Sequence, residues 1–185
     1  MQPLYIMTCG LNHTGKTTFW KDLQLQLSPS IVIDNDALRV FGQDHFFDLY
    51  EKTKWLKNRE PNNMNMKMFF AKNLLEFWLY HGVHCIHTAC SIYVNQRKLF
   101  FDLAKKQNAR TILIYFDIPL EVIKTRIDAA SRHKDHSLYK KWFEGNLAWM
   151  ADVFEYPNPD EADYFLRISD NSQQNKIIED ILKLV

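Results

Sequence analysis

Eight consecutive residues carry the most specific chemistry in this chain of 185: Gly10-Leu11-Asn12-His13-Thr14-Gly15-Lys16-Thr17. Glycines at both ends of such a turn let successive backbone amides point inward at a phosphate chain. A helix opening at its end adds a positive amino terminus. In this spacing the lysine reaches the outer phosphates and the hydroxyl after it ligates magnesium. Lys16 is therefore the expected catalytic cation, placed on an exposed loop, and Thr17 the expected Mg2+ ligand. The positions expected against a nucleoside triphosphate are Gly10, Asn12, His13, Thr14, Gly15, Lys16, Thr17 and Thr18. The Thr18 side chain reads as helix packing and His13 as solvent-facing variation rather than a catalyst.

The acceptor of the phosphate is the next question. A guanine-reading Asn-Lys-x-Asp segment after a strand is absent, which argues against a GTPase. Ile112 to Asp117 supplies an apolar strand ending in Asp, but Ile118 and Pro119 follow and nothing there orients a water. A kinase needs a base near the acceptor hydroxyl and arginines over the transferring phosphate. Asp34-Asn35-Asp36-Ala37-Leu38-Arg39 offers the first at the tip of the second strand. A helical start there puts Asp36 and Arg39 on one face. Two other readings stay open: Asp36 caps the helix, or Asp34 is the base or holds magnesium through water. Arg126 and Arg132 offer the cations, beside a charged loop.

These residues need a scaffold that converges on one edge. Leu4–Cys9 is a short apolar run entering the glycine turn, and Lys16–Leu27 has Phe19, Leu23 and Leu27 at helical spacing. Strands are expected at 31–34, 83–88, 111–116 and 164–168, and helices at 36–56, 64–80, 94–106, 138–154 and 174–184. Gly82 ends one helix and Pro119 opens another. Residues 131–137 lack apolar periodicity and read as a loop. Alternation of this kind implies an α/β fold, a five-stranded parallel sheet with the first strand central and helices on both faces. Without repeat or linker, 1–185 reads as one domain.

Net charge is +1, so bulk attraction to polyanions is not expected. Cys9, Cys85 and Cys90 form no CxxC pair and read as buried thiols of a reducing, cytoplasmic setting. No signal peptide or bilayer-spanning stretch is legible, and no oligomeric state follows.

Together these segments resemble the polynucleotide 5'-hydroxyl kinase and zeta-toxin-like group of P-loop kinases over nearly the whole chain. The resemblance rests on Gly10-x4-Gly15-Lys16-Thr17, Asp36-x-x-Arg39, the run Thr88 to Arg97, Asp117-x-Pro119 followed by Arg126, and Phe154-Glu155-Tyr156-Pro157 with Glu161. It implies ATP as phosphate donor, Asp36 as general base, Arg39 gripping an acceptor phosphate, and Arg126 as first arginine of a lid near 127–140. Thr88 stands where the group usually has Asp, which puts that strand's magnesium or acceptor contact in question. The second lid arginine is displaced to Arg132.

For the acceptor, the insert carries Lys52, Lys54, Lys57, Arg59, Lys67 and Lys72 among Trp55, Phe69 and Phe70. Basic residues can track a backbone while aromatics stack bases, though an amphipathic helix explains them equally. The resemblance implies a nucleic-acid 5' end. A small-molecule or nucleotide-sugar acceptor is the alternative, and an ATP-binding regulator without transfer a further one. His81, His84 and His87 read as core or surface residues rather than metal ligands. Trp142 and Trp149 read as core packing.

Overall fold

Alternation within the first strand divides the apolar residues between two cores, because successive side chains leave a strand on opposite faces. The computed structural model describes residues 2–45, 66–131 and 145–185. In chain order these form β1 (Leu4–Cys9), α1 (Lys16–Gln26), β2 (Ser30–Asp34), α2 (Asn35–His45) and α3 (Met66–Tyr80). There follow β3 (His84–Thr88), α4 (Val94–Lys106), β4 (Arg110–Phe116), α5 (Leu120–Ser131), a helical stretch over 145–152, β5 (Tyr164–Ile168) and α6 (Gln174–Leu182). Leu4 and Ile6 of β1 meet Phe19 and Leu23 of α1, Ile123 and Ile127 of α5, and Ile177 and Ile181 of α6. Tyr5, Met7 and Cys9 face the other way, onto Ala71 and Leu75 of α3 and Phe100, Phe101 and Ala104 of α4.

The sheet is parallel throughout, in the order β2-β3-β1-β4-β5. The first strand is central, as the alternation of strands and helices predicts. Strand runs as apolar as Ile112–Phe116 arise because both faces are covered, so neither phase of the alternation meets water. Register brings the carboxyl ends level: Cys9 lies opposite Tyr115, and Asp34 opposite Thr88. Each strand therefore delivers its following loop to one edge, where ligands bind in open sheets of this kind.

Several expectations are corrected. Leu120, not Pro119, is the first residue of α5; the Pro119 carbonyl accepts from the amides of Val122 and Ile123. Thr18 is exposed on α1 and packs no core. Trp149 is 40% exposed on the stretch 145–152, so it is not core packing. Phe154 lies past that stretch and stacks on Tyr115. Cys90 is only half-buried, unlike Cys9 and Cys85. Trp142, Arg132, Lys52, Lys54, Lys57, Arg59 and Trp55, with most of the expected lid, lie outside the described residues. Among the described residues no helix is long and apolar enough to cross a membrane.

Both histidines of β3 are buried in the fold. His84 Nδ1 accepts from the Leu4 amide at 2.9 Å, tying β3 to the start of β1. His87 lies between Tyr5 Oη, 2.8 Å from Nδ1, and Asn35 Oδ1, 3.0 Å from Nε2. Tyr5 is fully buried, and its phenol needs an acceptor. Its O–H therefore donates to Nδ1, and the Nε2–H donates to Asn35. Burial holds His87 neutral, its pKa pushed down to about 3. The sign follows. Below the ordinary value of 6.5 the unfolded chain takes up a proton that the folded chain refuses, so stability falls as pH falls. Full linkage of one proton is about 1.4 kcal/mol per pH unit. Urea unfolding between pH 6.5 and 5 should show this extra slope in the wild type and lack it in His87→Gln. Equal slopes in the two proteins would contradict the buried neutral histidine.

Candidate active site

Gly10 leaves β1 at φ 142 with its amide donating to the Cys90 carbonyl at 3.0 Å. A Cβ there would stand 2.7 Å from the Phe116 carbonyl oxygen, so two neighbouring strands leave room for glycine alone. Gly15 closes the turn at φ 102, and a Cβ there would meet Gln174 Nε2 at 3.1 Å and Asn171 at 3.3 Å. Between them His13 adopts φ 60, and the Thr14 hydroxyl donates to the Leu11 carbonyl at 2.9 Å. No side chain caps the amino terminus of α1, so its first amides remain available to an anion.

Lys16 is only 9% exposed, which corrects the expectation of an exposed loop residue. Its Nζ donates to the carbonyls of Gly10 at 2.9 Å and Leu11 at 2.6 Å. The ammonium thus sits inside the turn, where a phosphate chain would replace carbonyl partners with charged ones. Thr17 is exposed at the start of α1, so its hydroxyl is open to a hydrated cation. Arg126 of α5 donates from Nη1 to the His13 carbonyl at 2.9 Å, bringing a second cation to the loop. His13 is consequently hard to protonate: burial first, then Lys16 and Arg126, lower its pKa.

On the other side of β3, Asp34 Oδ1 accepts from the amides of Asp36 at 2.8 Å and Ala37 at 3.3 Å. Asp34 is therefore the residue that caps α2, and the capping role considered for Asp36 falls away. Asp36 is left with its side chain 90% exposed, 3.9 Å from Arg39 Nε. Such an exposed pair contributes little to stability. Asn35, between Asp34 and Asp36, is held by His87. Because β3 separates β2 from β1, the Asp36 turn stands about two strand spacings, roughly 10 Å, from the phosphate loop. Thr88 is buried, opposite Asp34.

Two further polar groupings brace this edge. Asp117 accepts from the Tyr115 phenol at 3.0 Å and from Arg167, and burial followed by that carboxylate raises the tyrosine's pKa. Arg97 of α4 is fully buried against Glu161, with Nε to Oε2 at 2.6 Å and Nη2 to Oε1 at 2.9 Å. Burial opposes the Arg97 charge, but Glu161 outweighs it and the guanidinium pKa is raised. Sequence reasoning quoted both residues without giving them a role. The signal was legible: Arg97, Phe100, Phe101 and Ala104 share one helical face, so the arginine had to be buried. Asn171 and Gln174, beside Gly15, carried no comparable sequence signal.

A central β1 ending in this glycine turn, in a parallel sheet of this order, defines the P-loop kinase fold. Among solved structures, a putative kinase from Chloroflexus aurantiacus superimposes with a TM-score of 0.65, covering all of both chains at 18% identity. The Mycobacterium tuberculosis APS kinase CysC, in complex with AMPPNP and APS, gives a TM-score of 0.58 at 18% identity, covering 99% of this chain and 97% of that one. The chain belongs to the AAA domain family, which it matches over residues 5–157. It is also similar to the adenylyl-sulfate kinase of Myxococcus xanthus DK1622, 28% identical over 158 residues covering 83% of this chain and 76% of that protein.

The glycine turn yields a direct test. Gly10→Ala combines a strained φ with a 2.7 Å contact to backbone, a strain of about 1–3 kcal/mol before the clash itself. Melting should drop, and ADP affinity measured by calorimetry should fall well below that of Leu25→Ala, whose side chain is exposed. Wild-type affinity in Gly10→Ala would remove this loop from the site.

Proposed function

We propose that this protein is an ATP-dependent phosphotransferase that moves the γ-phosphate to a hydroxyl of a small anionic molecule. The observation that carries the reading is the division of labour at the tip of β2. Asp34 takes the helix cap, so Asp36 is left as an exposed carboxylate beside Arg39, with β3 between its strand and the one that enters the phosphate loop. A carboxylate beside a cation can align an acceptor hydroxyl and hold an acceptor anion at once. Gly10 to Thr17 would hold the ATP phosphates, and Arg126 would neutralise charge on the group in transit. A Mg2+ ion, where the exposed Thr17 hydroxyl fits an oxygen-seeking cation, would offset phosphate charge.

The choice of acceptor rests on the relatives. The chain is similar to an adenylyl-sulfate kinase, which favours a small acceptor over the nucleic-acid 5' end that the motifs imply. Lys72, one of the insert's basic residues, pairs with Glu76 at 3.9 Å, the arrangement of a solvated helix face.

Radiolabel from γ-labelled ATP should pass to a member of a panel of adenylyl sulfate and phosphorylated sugars, and not to a 5'-hydroxyl oligonucleotide. Label on the oligonucleotide alone would reverse the acceptor assignment. With the acceptor in hand, Asp36→Asn should retain ATP affinity and lose turnover by about a hundred- to ten-thousand-fold. Turnover within a few fold of wild type would take Asp36 out of the chemistry.

A further inference from the structure

Arg97 is the largest of the fully buried side chains among the described residues, and nothing in the proposed chemistry uses it. Its guanidinium spends three donors on two segments. Two go to the carboxylate of Glu161, in the turn before β5, and the third goes from Nη1 to the Ser91 carbonyl at 2.7 Å. Glu161 is fixed in turn, since its Oε1 accepts from the Asn158 amide at 2.8 Å. Ser91 lies in the segment that follows β3, at φ 49, a conformation non-glycine residues adopt only when held there.

That segment is the wall of the phosphate loop. The Ser91 carbonyl also accepts from the Cys9 thiol at 3.3 Å, at the last residue of β1. The Cys90 carbonyl receives the Gly10 amide, and the Cys90 thiol donates to Asn12 Oδ1 at 3.0 Å. On its far side the Ile92 carbonyl takes the Glu155 amide at 2.9 Å. These contacts to Cys9, Gly10 and Asn12 all run through residues 90–91, and Arg97 grips residue 91.

We propose that Arg97 and Glu161 are positioning residues for the phosphate loop: their buried bridge sets the Cys90 and Ser91 carbonyls against Cys9 and Gly10, and so fixes the loop in the form that binds a nucleotide diphosphate group. This rests on reading Gly10 to Thr17 as a nucleotide site, and not on any acceptor. Buried ion pairs add little net stability compared with apolar residues that fill the same space. What a planar fork of donors supplies is direction, here to three acceptors at once. An apolar replacement can fill the volume but cannot hold a carbonyl.

The test separates those two contributions in the full-length chain. Arg97→Met combined with Glu161→Gln removes both charges while keeping bulk, and Glu161→Asp shortens the grip by one methylene. Leu4→Val, a buried truncation at the opposite end of β1, is the control for destabilisation alone. Thermal melting and Kd for ADP with Mg2+ are measured for each. The expected result is ADP affinity weakened by about tenfold in the double variant and less in Glu161→Asp. Leu4→Val should lower the melting temperature and leave Kd unchanged. A folded double variant binding ADP within twofold of wild type would reduce the bridge to packing. If the double variant does not fold, Glu161→Asp decides by the same criterion. Absence of ADP binding in the wild type would overturn the nucleotide reading itself, and this inference with it.

Discussion

The constraint on which the rest depends is the space around Gly10. Its amide is committed to the Cys90 carbonyl and its α-carbon lies against the Phe116 carbonyl. Those carbonyls belong to the segments that follow or end β3 and β4, the two strands flanking β1. A residue gripped from both neighbours can lead the chain out only in one direction. That direction carries the loop over the edge and lets α1 begin at Lys16 with its amides uncapped. The central place of β1 is thus a condition of the site, since an edge strand would offer one wall only.

Such a narrow passage makes the polar interior more informative than the apolar one. The two cores follow from alternation and would tolerate many exchanges of similar volume. Arg97, Tyr5 and His87, which are buried, and Glu161, which is half-buried, would not, because each has its hydrogen-bonding groups committed to named partners. A buried polar group with one partner removed is costly, by about 1–3 kcal/mol or more when charged. The two groupings serve different neighbours. The bridge reaches the phosphate loop through Ser91 and Cys90, and the tyrosine–histidine pair reaches the first turn of α2 through Asn35.

The parallel sheet with its first strand central, and most element boundaries, were legible because short apolar strands alternate with stretches of helical periodicity, while the full strand order was not. The strand 164–168 and the helix 94–106 fall where the pattern places them. The glycine turn was legible for the same reason, being contiguous. What the sequence did not disclose is pairing at a distance. Asp34 and Asp36 are both good caps by type, and only the backbone shows that the earlier residue takes the role. Lys16 was expected outside because lysines ordinarily are, yet the turn wraps its ammonium in carbonyls. Trp149 misled because size argues for burial, while its place on a helix that shows Leu147 and Met150 to the core leaves it outward.

The exposure of Asp36 bears on what kind of catalyst this edge can support. A carboxylate is a weak base, and burial would be needed to make it a strong one. Phosphoryl transfer does not ask for that. Its transition state is loose, bond formation to the nucleophile lags behind departure of the leaving group, and the hydroxyl proton need not be gone early. An accessible carboxylate that aligns the hydroxyl is then sufficient, and the heavy electrostatic work falls to groups that meet the phosphates. In the proposed reaction those would be Lys16, buried inside the turn, and the half-buried Arg126, anchored on the His13 carbonyl. Cations in or against the loop and a carboxylate in water would give each charge the surroundings that its proposed role requires. The arrangement suits the acceptor proposed above, one that would bring its own hydroxyl and an anion to meet Arg39.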